Sequence, residues 1–338
     1  MEKAAVSAHV YIIIVNYQKW EDARDCLDLL FRSDHDQFTV LLVDNASTNG
    51  SLQWLMEWAD APAGPMPSDL PFTPGQLKKP IGYRLFQRSE WEDPTLDGTR
   101  LPRLNFVQND INGGFAIGVN VALRQIVDQD SWVMLLNPDI IVQSDMLSES
   151  VRFATSQPFR TISGPVTRNY DSPHQVYIYG GATVNRRSGT MTHLQSASDL
   201  SRLDYIGGGS FFSHTAHFRE IGLLPEDYFI YWEETEWCFM AREKGYQMKV
   251  CETAICYDKI STTMGKGFRA EYYYTRNGLL FLNRFRENGR GPQMGFVFLR
   301  FLKRVVTGKW SKARGVYKGY RDYLTMKELP RLQSVEKK

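Results

Sequence analysis

The stretch LLNPD at positions 135–139 decides the fold, because it reads as an apolar strand that ends in a proline-stiffened turn with one carboxylate, Asp139. Two earlier segments have the same form: VYIIIVN at 10–16 and VLLVDN at 40–45. Continuous apolar runs that alternate with helical patterns are typical of a parallel sheet covered on both faces. Such sheets bind ligands at the carboxyl ends of their strands, so we expect Asn16, Asp44 and Asp139 to share one site.

Composition is that of an ordinary globular protein. The 338 residues are 43% hydrophobic, enough for one large α/β domain, and the formal net charge of +2 gives no argument for a nucleic-acid partner. Four cysteines without a CxxC pair indicate reduced thiols and no zinc site.

The apolar run at 10–15 is too short for a signal peptide, and no window could cross a bilayer. We therefore expect a cytoplasmic protein, soluble or peripherally attached to the membrane.

Periodicity predicts the order of the elements. Strands are expected at 10–16, 40–45, 104–108, 132–136, 160–166, 176–184, 203–206 and 247–257. Helices are expected at 20–31, after an N-cap at Ser47 or Asn49, from 115, and at 144–156, 214–221 and 234–244. Residues 61–103 contain eight prolines, which predicts an irregular surface insertion.

The C-terminal region, 286–338, is predicted to be a basic amphipathic helical extension of a domain at 1–285. Between 290 and 321 there are nine basic residues, no acidic one, and many interleaved Phe, Leu and Val residues. Such a region either lies on an anionic membrane surface or packs on the domain with a solvated basic face. The sequence leaves both alternatives open.

Six motifs, in order, carry a resemblance to a known family. They are IVNY (14–17), VDNASTNGS (43–51), NGGFAIGVN (112–120), LLNPD (135–139), YFIYWEETEWCFMAREKGY (228–246) and YYYTRN (272–277). The set resembles the family-2 inverting glycosyltransferases, which have the GT-A fold, and especially the branch that includes rhamnosyltransferases. The resemblance implies transfer of a sugar from dTDP-rhamnose or a UDP-hexose to a hydroxyl of a growing surface glycan, free or lipid-linked.

The resemblance also implies donor-binding residues. Asp44 would accept the N3–H of a uracil or thymine ring, while Gly113 and Gly114 would let the backbone approach the nucleoside and Phe115 would flank it. Further donor contacts are expected from Asn16, Asn45, Asn120, Asn137, Gly208 and Gly209. The alternative is that Asp44 and Ser47 only cap a helix and that the two glycines form a simple turn.

A divalent cation, Mg²⁺ or Mn²⁺, is implied at Asp139. The family's metal motif is often Asp-x-Asp, whereas this chain has Asn137 in the first place. Asp258 stands where the family commonly has His, and its oxygen is a suitable replacement ligand. The alternatives are a plain turn residue for Asp139 and a solvated loop acid for Asp258.

The catalytic residues are expected at Glu233 and Glu234, where the family usually has Glu-Asp. Glu234 would accept the proton of the acceptor hydroxyl as general base. Acceptor contacts are expected from Tyr231, Trp232 and Arg276. The alternatives are that the acids only complement a helix N-terminus and that the aromatic residues belong to the core. His214 and His217 are interpreted as surface residues.

Two other enzyme classes are disfavoured by missing motifs. The turn after the first strand contains no GxGxxG for a dinucleotide, and the chain has no GxxxxGK[ST] for a P-loop. The remaining alternative is a catalytically inactive nucleotide-sugar-binding or scaffold protein of the same fold.

Overall fold

The computed structural model describes residues 8–64, 70–186, 188–207, 209–260, 267–285 and 293–326. The strands are β1 Val10–Asn16, β2 Phe38–Asp44, β3 Tyr83–Gln87, β4 Leu104–Gln108, β5 Trp132–Leu136, β6 Ile140–Val142, β7 Thr161–Asn169, β8 Ser172–Tyr179, β9 Gly181–Asn185, β10 Thr190–His193, β11 Tyr205–Ile206, β12 Ser210–His214 and β13 Gln247–Asp258. The helices are α1 Trp20–Leu30, α2 Ser51–Asp60, α3 Arg88–Trp91, α4 Phe115–Ile126, α5 Met146–Ser156, α6 Thr215–Ile221, α7 Glu233–Glu243, α8 Phe268–Arg284, α9 Gln293–Val306 and α10 Trp310–Thr325.

Ten strands form the central sheet in the order β3-β4-β2-β1-β5-β12-β7-β13-β6, with β8 paired to β7. The pairs from β3 to β5 are parallel, and so is β7 with β13, whereas β12 runs antiparallel between β5 and β7. Strands β10, β9 and β11 form a small antiparallel sheet. The central sheet is therefore mostly parallel, as predicted, with antiparallel pairs at β12 and between β6 and β13 and β7 and β8.

Both faces of the central sheet are buried, which explains the continuous apolar runs. On β1, Tyr11 and Ile13 pack in the core cluster that contains α4 residues such as Val119. The alternate residues Ile12 and Ile14 pack in a second cluster with α1 and α2. A strand covered on both sides has no solvent face, so it carries no polar alternation.

The strand register sets the polar ends of the motifs side by side. Asn16 stands opposite Asp44 in the β1–β2 pair, and Asp44 stands opposite Gln108 in the β2–β4 pair. Because β5 pairs with β1 in parallel, the turn that carries Asp139 follows the same edge of the sheet. The motifs therefore meet at the carboxyl edge, as the sequence predicts.

Three local predictions are wrong, and the first concerns the strand expected at 176–184, which is divided into β8 and β9 in different sheets. The insertion at 61–103 is not wholly irregular, because β3 pairs in parallel with β4 at the edge of the sheet and α3 follows it. The strand forms in the proline-free window between Pro80 and Pro94, where Phe86 and Trp91 are buried. Helix α2 has Gly50 at its N-cap rather than Ser47 or Asn49, since the Ser47 N–H donates back to Asp44 at 2.7 Å.

A buried ion network fixes the segment before α7. Arg284 of α8 pairs with Glu236 at 2.8 Å and with Asp227, while the Tyr228 hydroxyl donates to Glu236. The side chains of Arg284 and Glu236 are only 7% and 4% exposed. Buried charges are tolerated only when they are paired, so this network ties α7, α8 and the loop at 227–232 together.

The C-terminal helices pack on α8. A Cβ atom at Gly315 would lie 2.5 Å from the carbonyl oxygen of Phe268, and one at Gly319 would lie 2.6 Å from that of Tyr272, so α10 and α8 are in close backbone contact. Arg300 and Arg304 of α9 both reach buried Glu271 at 2.8 Å. Within the described residues, no helix is long and apolar enough to span a bilayer.

The network predicts a large stability loss for Arg284→Met. Removing the guanidinium takes the ion partner from buried Glu236 and from partly buried Asp227, so we expect the free energy of unfolding to fall by about 3–5 kcal/mol in urea denaturation. Arg242→Met is the control, because the Arg242–Asp204 pair is 43% and 27% exposed. Its loss should stay below about 1 kcal/mol. Equal losses in the two variants would contradict the structural role of Arg284.

Candidate active site

Two adjoining cavities, of about 310 and 270 Å³, open at the carboxyl edge of the sheet. Their shared walls are formed by Phe115, Asn137, Tyr177, Ile230, Tyr231 and Asp258. Asp139 lines the first cavity, and Glu233 and Glu234 line the second. Two pairs of acidic residues therefore face one composite cleft.

A larger cavity of about 520 Å³ lies between α1 and residues 58–64. Its acidic lining residues Asp25 and Asp28 are paired with Lys259 and Arg32. Those pairs neutralise its charges, so we place the candidate site in the cleft at the sheet edge.

The pairing of β6 with β13 brings Asp139 and Asp258 together. Asp258 stands opposite Ile140 in this pair, and the backbone carbonyl of Asp139 accepts from the Lys259 N–H at 3.3 Å. Burial and, second, the negative charge of Asp139 raise the pKa of Asp258 to about 6. The two carboxyl groups are thus close enough to repel one another.

These two carboxyl groups fit a hard divalent cation. Both are oxygen donors, and a cation between them would relieve the repulsion. Within the described ranges, no group of three or more His, Cys, Asp or Glu side chains is arranged to hold a metal. A bound ion would thus take further ligands from water and phosphate oxygens, as Mg²⁺ commonly does. Because Asp258 is partly buried and lines both cavities, it is not a solvated loop acid.

Glu233 and Glu234 begin α7 directly after a strained turn. Tyr231 and Trp232 have φ angles of 67° and 80°, a left-handed conformation that costs non-glycine residues on the order of 1–3 kcal/mol each. The Asn277 amide donates to the carbonyls of Ile230 and Tyr231 at 2.7 and 3.1 Å, which holds the turn in place. The strained turn thus places the side chains of Glu233 and Glu234 at the cleft.

Glu233 is buried, and its pKa is raised well above 4.5. Burial is the larger cause and the charge of Glu234 is the second, while the N–H groups of Glu233 and Tyr231 act in the opposite direction. Its Oε2 atom has no hydrogen-bond partner among the described residues. Burial and the neighbouring carboxyl group therefore favour the protonated form of Glu233.

A buried polar network lies beside the first cavity. The Asn16 amide donates to Asp44 at 2.8 Å, and the Asn45 amide donates to the Gly114 carbonyl at 2.9 Å. Asn109, which the sequence analysis missed, donates to Asn45 at 2.8 Å. Asn45 lines the cavity, whereas Asn16 and Asp44 are buried and are not among its lining residues. A direct contact from Asp44 to a nucleobase stays a prediction.

Gly114 allows the loop before α4 to lie close to the loop before α7. Its φ is +91°, and a Cβ atom there would lie 2.0 Å from the carbonyl oxygen of Phe229, which accepts from the Phe115 N–H at 2.8 Å. Gly113 likewise has no room for a side chain, since Ile117 lies 2.8 Å from its Cβ position. Gly114 and Phe115 also line the first cavity, so contact with a donor there remains a prediction.

Gly207 and Gly209, before β12, line the second cavity. Gly209 lines it, and its carbonyl accepts from the Asn137 N–H at 3.0 Å. Asn137 lines both cavities, and its contact with a donor stays a prediction. Gly208 lies outside the described residues.

Three predicted contacts are corrected by the structure. The Asn120 amide is fully used in the core, where it donates to Leu224 and Glu226 and accepts from Leu224, so it is structural. Trp232 is fully buried, which makes it a core residue and no platform for an acceptor sugar. Arg276 donates to the Asp227 carbonyl at 3.1 Å and lines neither cavity, so it supports the loop before α7.

Tyr177 and His193 are cleft residues that the sequence analysis missed. Both line the second cavity, and their rings meet edge to face at 5.5 Å. Burial lowers the pKa of His193, which favours a neutral ring. They lie on β8 and β10, strands with no recognisable motif, and only the folded sheet brings them to the acidic pair.

The prediction for His214 and His217 is wrong, because both are buried. His214 caps α6 by accepting from the Ala216 N–H at 3.2 Å, and His217 pairs with Ser213 at 2.9 Å. Burial lowers the pKa of His217 to about 4. The Nδ1 atoms of both rings therefore accept from backbone N–H groups at the start of α6.

The chain is similar to known glycosyltransferases. The low-salt glycan biosynthesis hexosyltransferase Agl10 of Haloferax volcanii is 24% identical over 152 residues, which cover 44% of this chain and half of that protein. The mannosyltransferase PcManGT from Pyrobaculum calidifontis, solved with GDP-Man and Mn²⁺, superposes with a TM-score of 0.53 at 14% identity and covers 96% of this chain and 77% of its own. GalNAc-T7, solved with UDP, GalNAc and Mn²⁺, gives a TM-score of 0.59 at 11% identity and coverages of 94% and 54%.

No protein-family model matches the chain. At these low identities the structural likenesses establish the fold alone. The chain has a GT-A fold, which confirms the predicted fold class.

The position of Asn120 predicts a stability effect without a binding effect. Asn120→Ala leaves buried groups of Leu224 without partners, so the free energy of unfolding should fall by about 2–4 kcal/mol. Calorimetry with nucleoside diphosphate should give the same result for the folded variant as for the parent. A weaker nucleotide affinity with unchanged stability would restore Asn120 to the donor site.

The raised pKa of Glu233 predicts a pH-dependent gain from Glu233→Gln. A carboxyl group with a raised folded-state pKa loses its stabilising contribution as pH rises above its unfolded value, 4.5, toward the folded one. Glutamine does not titrate, so the unfolding free energy of the variant should rise relative to that of the parent as the pH increases from about 4 to about 8. Exposed Glu243→Gln, on the same helix, is the control. A pH-independent difference would contradict the raised pKa.

Proposed function

We propose that this protein is an inverting glycosyltransferase that moves one sugar from a nucleoside-diphosphate donor to a hydroxyl group of a growing surface glycan. The observation that carries the proposal is the pairing of Asp139 with Asp258 and of Glu233 with Glu234 along one cleft at the carboxyl edge of a GT-A sheet. The similar proteins that were solved with GDP-Man or UDP together with Mn²⁺ support a nucleotide sugar as donor.

The donor is proposed to occupy the first cavity. Tyr17, Asn45 and Phe115 line the part assigned to the nucleoside, and Asp44 with Asn16 supports Asn45 from behind, since the Asn45 N–H donates to the Asn16 carbonyl at 2.8 Å. The motif resemblance favours dTDP-rhamnose or a UDP-hexose as donor. Mg²⁺ or Mn²⁺, held by Asp139 and Asp258, would offset the negative charge that grows on the departing diphosphate.

Glu234 is proposed as the general base for a single displacement. It takes the proton of the acceptor hydroxyl as that oxygen forms a bond to the anomeric carbon, and the bond from this carbon to the donor phosphate oxygen breaks on the opposite side. The nucleoside diphosphate leaves with the bonding electron pair, and the anomeric configuration inverts. Protonated Glu233 keeps a second negative charge away from this step.

The acceptor and the donor sugar are proposed to meet in the second cavity. Tyr231 remains the predicted acceptor residue that lines both cavities, and Tyr177 and His193 add polar and aromatic surface beside the glutamates. Rings with polar edges suit sugars, because they stack on C–H faces and also accept or donate hydrogen bonds.

Substitution of one carboxylate in each pair tests the proposal. With UDP-, dTDP- and GDP-sugars and Mn²⁺, Glu234→Gln should lower kcat for donor turnover by about 100-fold or more, while nucleotide affinity stays unchanged. Asp139→Asn should lower kcat to a similar extent and also weaken Mn²⁺-dependent nucleotide binding. Release of nucleoside diphosphate measures turnover, and calorimetry measures affinity.

Matched controls are Glu243→Gln, an exposed acid on α7, and Asp130→Asn, whose side chain is 93% exposed. Both should keep parental turnover. Near-normal turnover in folded Glu234→Gln removes that residue from the base role. Nucleotide-sugar binding by the parent with no release under any acceptor condition would favour the inactive scaffold instead.

A further inference from the structure

Helix α9 turns its apolar side outward. Phe298, Leu302 and Val306 form a stripe at i, i+4 and i+8, and their exposed fractions are 62%, 43% and 76%. Leu299 beside them is 63% exposed. A helix on the surface of a globular domain normally buries its apolar stripe and exposes its charges. Among the side chains of α9 that the structure describes, only Phe296 and Val297, at the start of the helix, follow this rule and are buried in the core, whereas the stripe faces outward.

Two arginines of α9 hold this orientation together with buried Phe296 and Val297. Arg300 and Arg304 both pair at 2.8 Å with Glu271, a buried carboxylate of α8. The guanidinium of Arg300 also lies 4.0 Å from the centre of the Tyr274 ring. Turning the apolar stripe inward would leave Glu271 buried and unpaired, which is costly. The outward stripe is therefore a defined surface.

Helix α10 adds an aromatic and basic side. Five of its exposed residues recur at helical spacing, and they are Trp310, Arg314, Tyr317, Arg321 and Leu324. Exposed Lys303 and Lys309 stand at the end of α9 and in the turn that joins the two helices. No acidic residue occurs from 290 to 321.

We propose that the outward sides of α9 and α10 dock on an anionic membrane surface. Exposed Phe, Leu and Val side chains suit the acyl boundary, Trp and Tyr suit the interface, and Lys and Arg suit anionic headgroups. A second copy of this chain is a poorer occupant, because two such basic surfaces repel each other. The proposal goes beyond the transfer reaction and does not depend on it.

Vesicle binding of the full chain, measured without substrate, tests the proposal. The parent should bind vesicles of phosphatidylcholine mixed with phosphatidylglycerol, bind phosphatidylcholine alone much more weakly, and lose binding as salt rises. Leu302→Ser combined with Val306→Ser should weaken partitioning by about tenfold or more. Ile111→Ser is the matched control, because Ile111 is 65% exposed on the loop before α4.

The electrostatic part has its own pair of variants. Lys309→Gln combined with Arg314→Gln should weaken binding to the mixed vesicles and flatten its salt dependence. Arg202→Gln, at a side chain that is 62% exposed elsewhere on the protein, should change neither. Donor turnover in solution should stay parental in all of these variants, which separates this proposal from the proposed transferase activity.

Two results would overturn the membrane proposal. One is an absence of parental binding to the anionic vesicles at low salt, or binding that the Leu302 and Val306 substitutions leave unchanged. The other is a dimer in sedimentation velocity that those substitutions dissociate, with no vesicle binding, which would assign the surface to a second copy of the chain.

Discussion

The rest of this structure holds in place carboxyl groups that repel one another at the carboxyl edge of the sheet. Asp139 and Asp258 face each other where β6 meets β13, and Glu233 adjoins Glu234 at the start of α7. Neither arrangement stabilises the fold, because burial and like charge both disfavour ionised carboxylates. Groups held against their electrostatic preference are typical of sites that bind cations or transfer protons.

Helix α8 provides much of the support that holds these groups in place. Arg284 pairs with Glu236, Asn277 binds the strained turn before Glu233, and Glu271 anchors the two arginines of α9. One helix therefore connects the acidic cleft with the outward apolar stripe of α9. In the proposed enzyme, this connection would place the cleft at a fixed distance from a membrane surface and from an acceptor attached to it.

The sequence predicts best those features that local patterns determine. Buried strands such as β1 need a continuous apolar run, so the sheet, its carboxyl edge and the turn at Asp139 follow from the residues. The sequence predicts less well the contacts between polar groups that lie far apart in the chain. Asn120 lies in a motif but binds Leu224 inside the core, His214 and His217 satisfy a buried helix end, and Trp232 fills the core beside the glutamates. The inward direction of Arg300 depends on Glu271, which no local pattern reveals.

The most direct measurement of the central claim is anomalous diffraction from crystals grown with Mn²⁺ and a nucleoside diphosphate. We expect one manganese peak between the carboxyl groups of Asp139 and Asp258, in contact with the diphosphate, with Glu234 across the cleft from it. A nucleotide and manganese ion bound elsewhere, with these two carboxyl groups making no contact to either, would contradict the assignment of the cleft as a donor site.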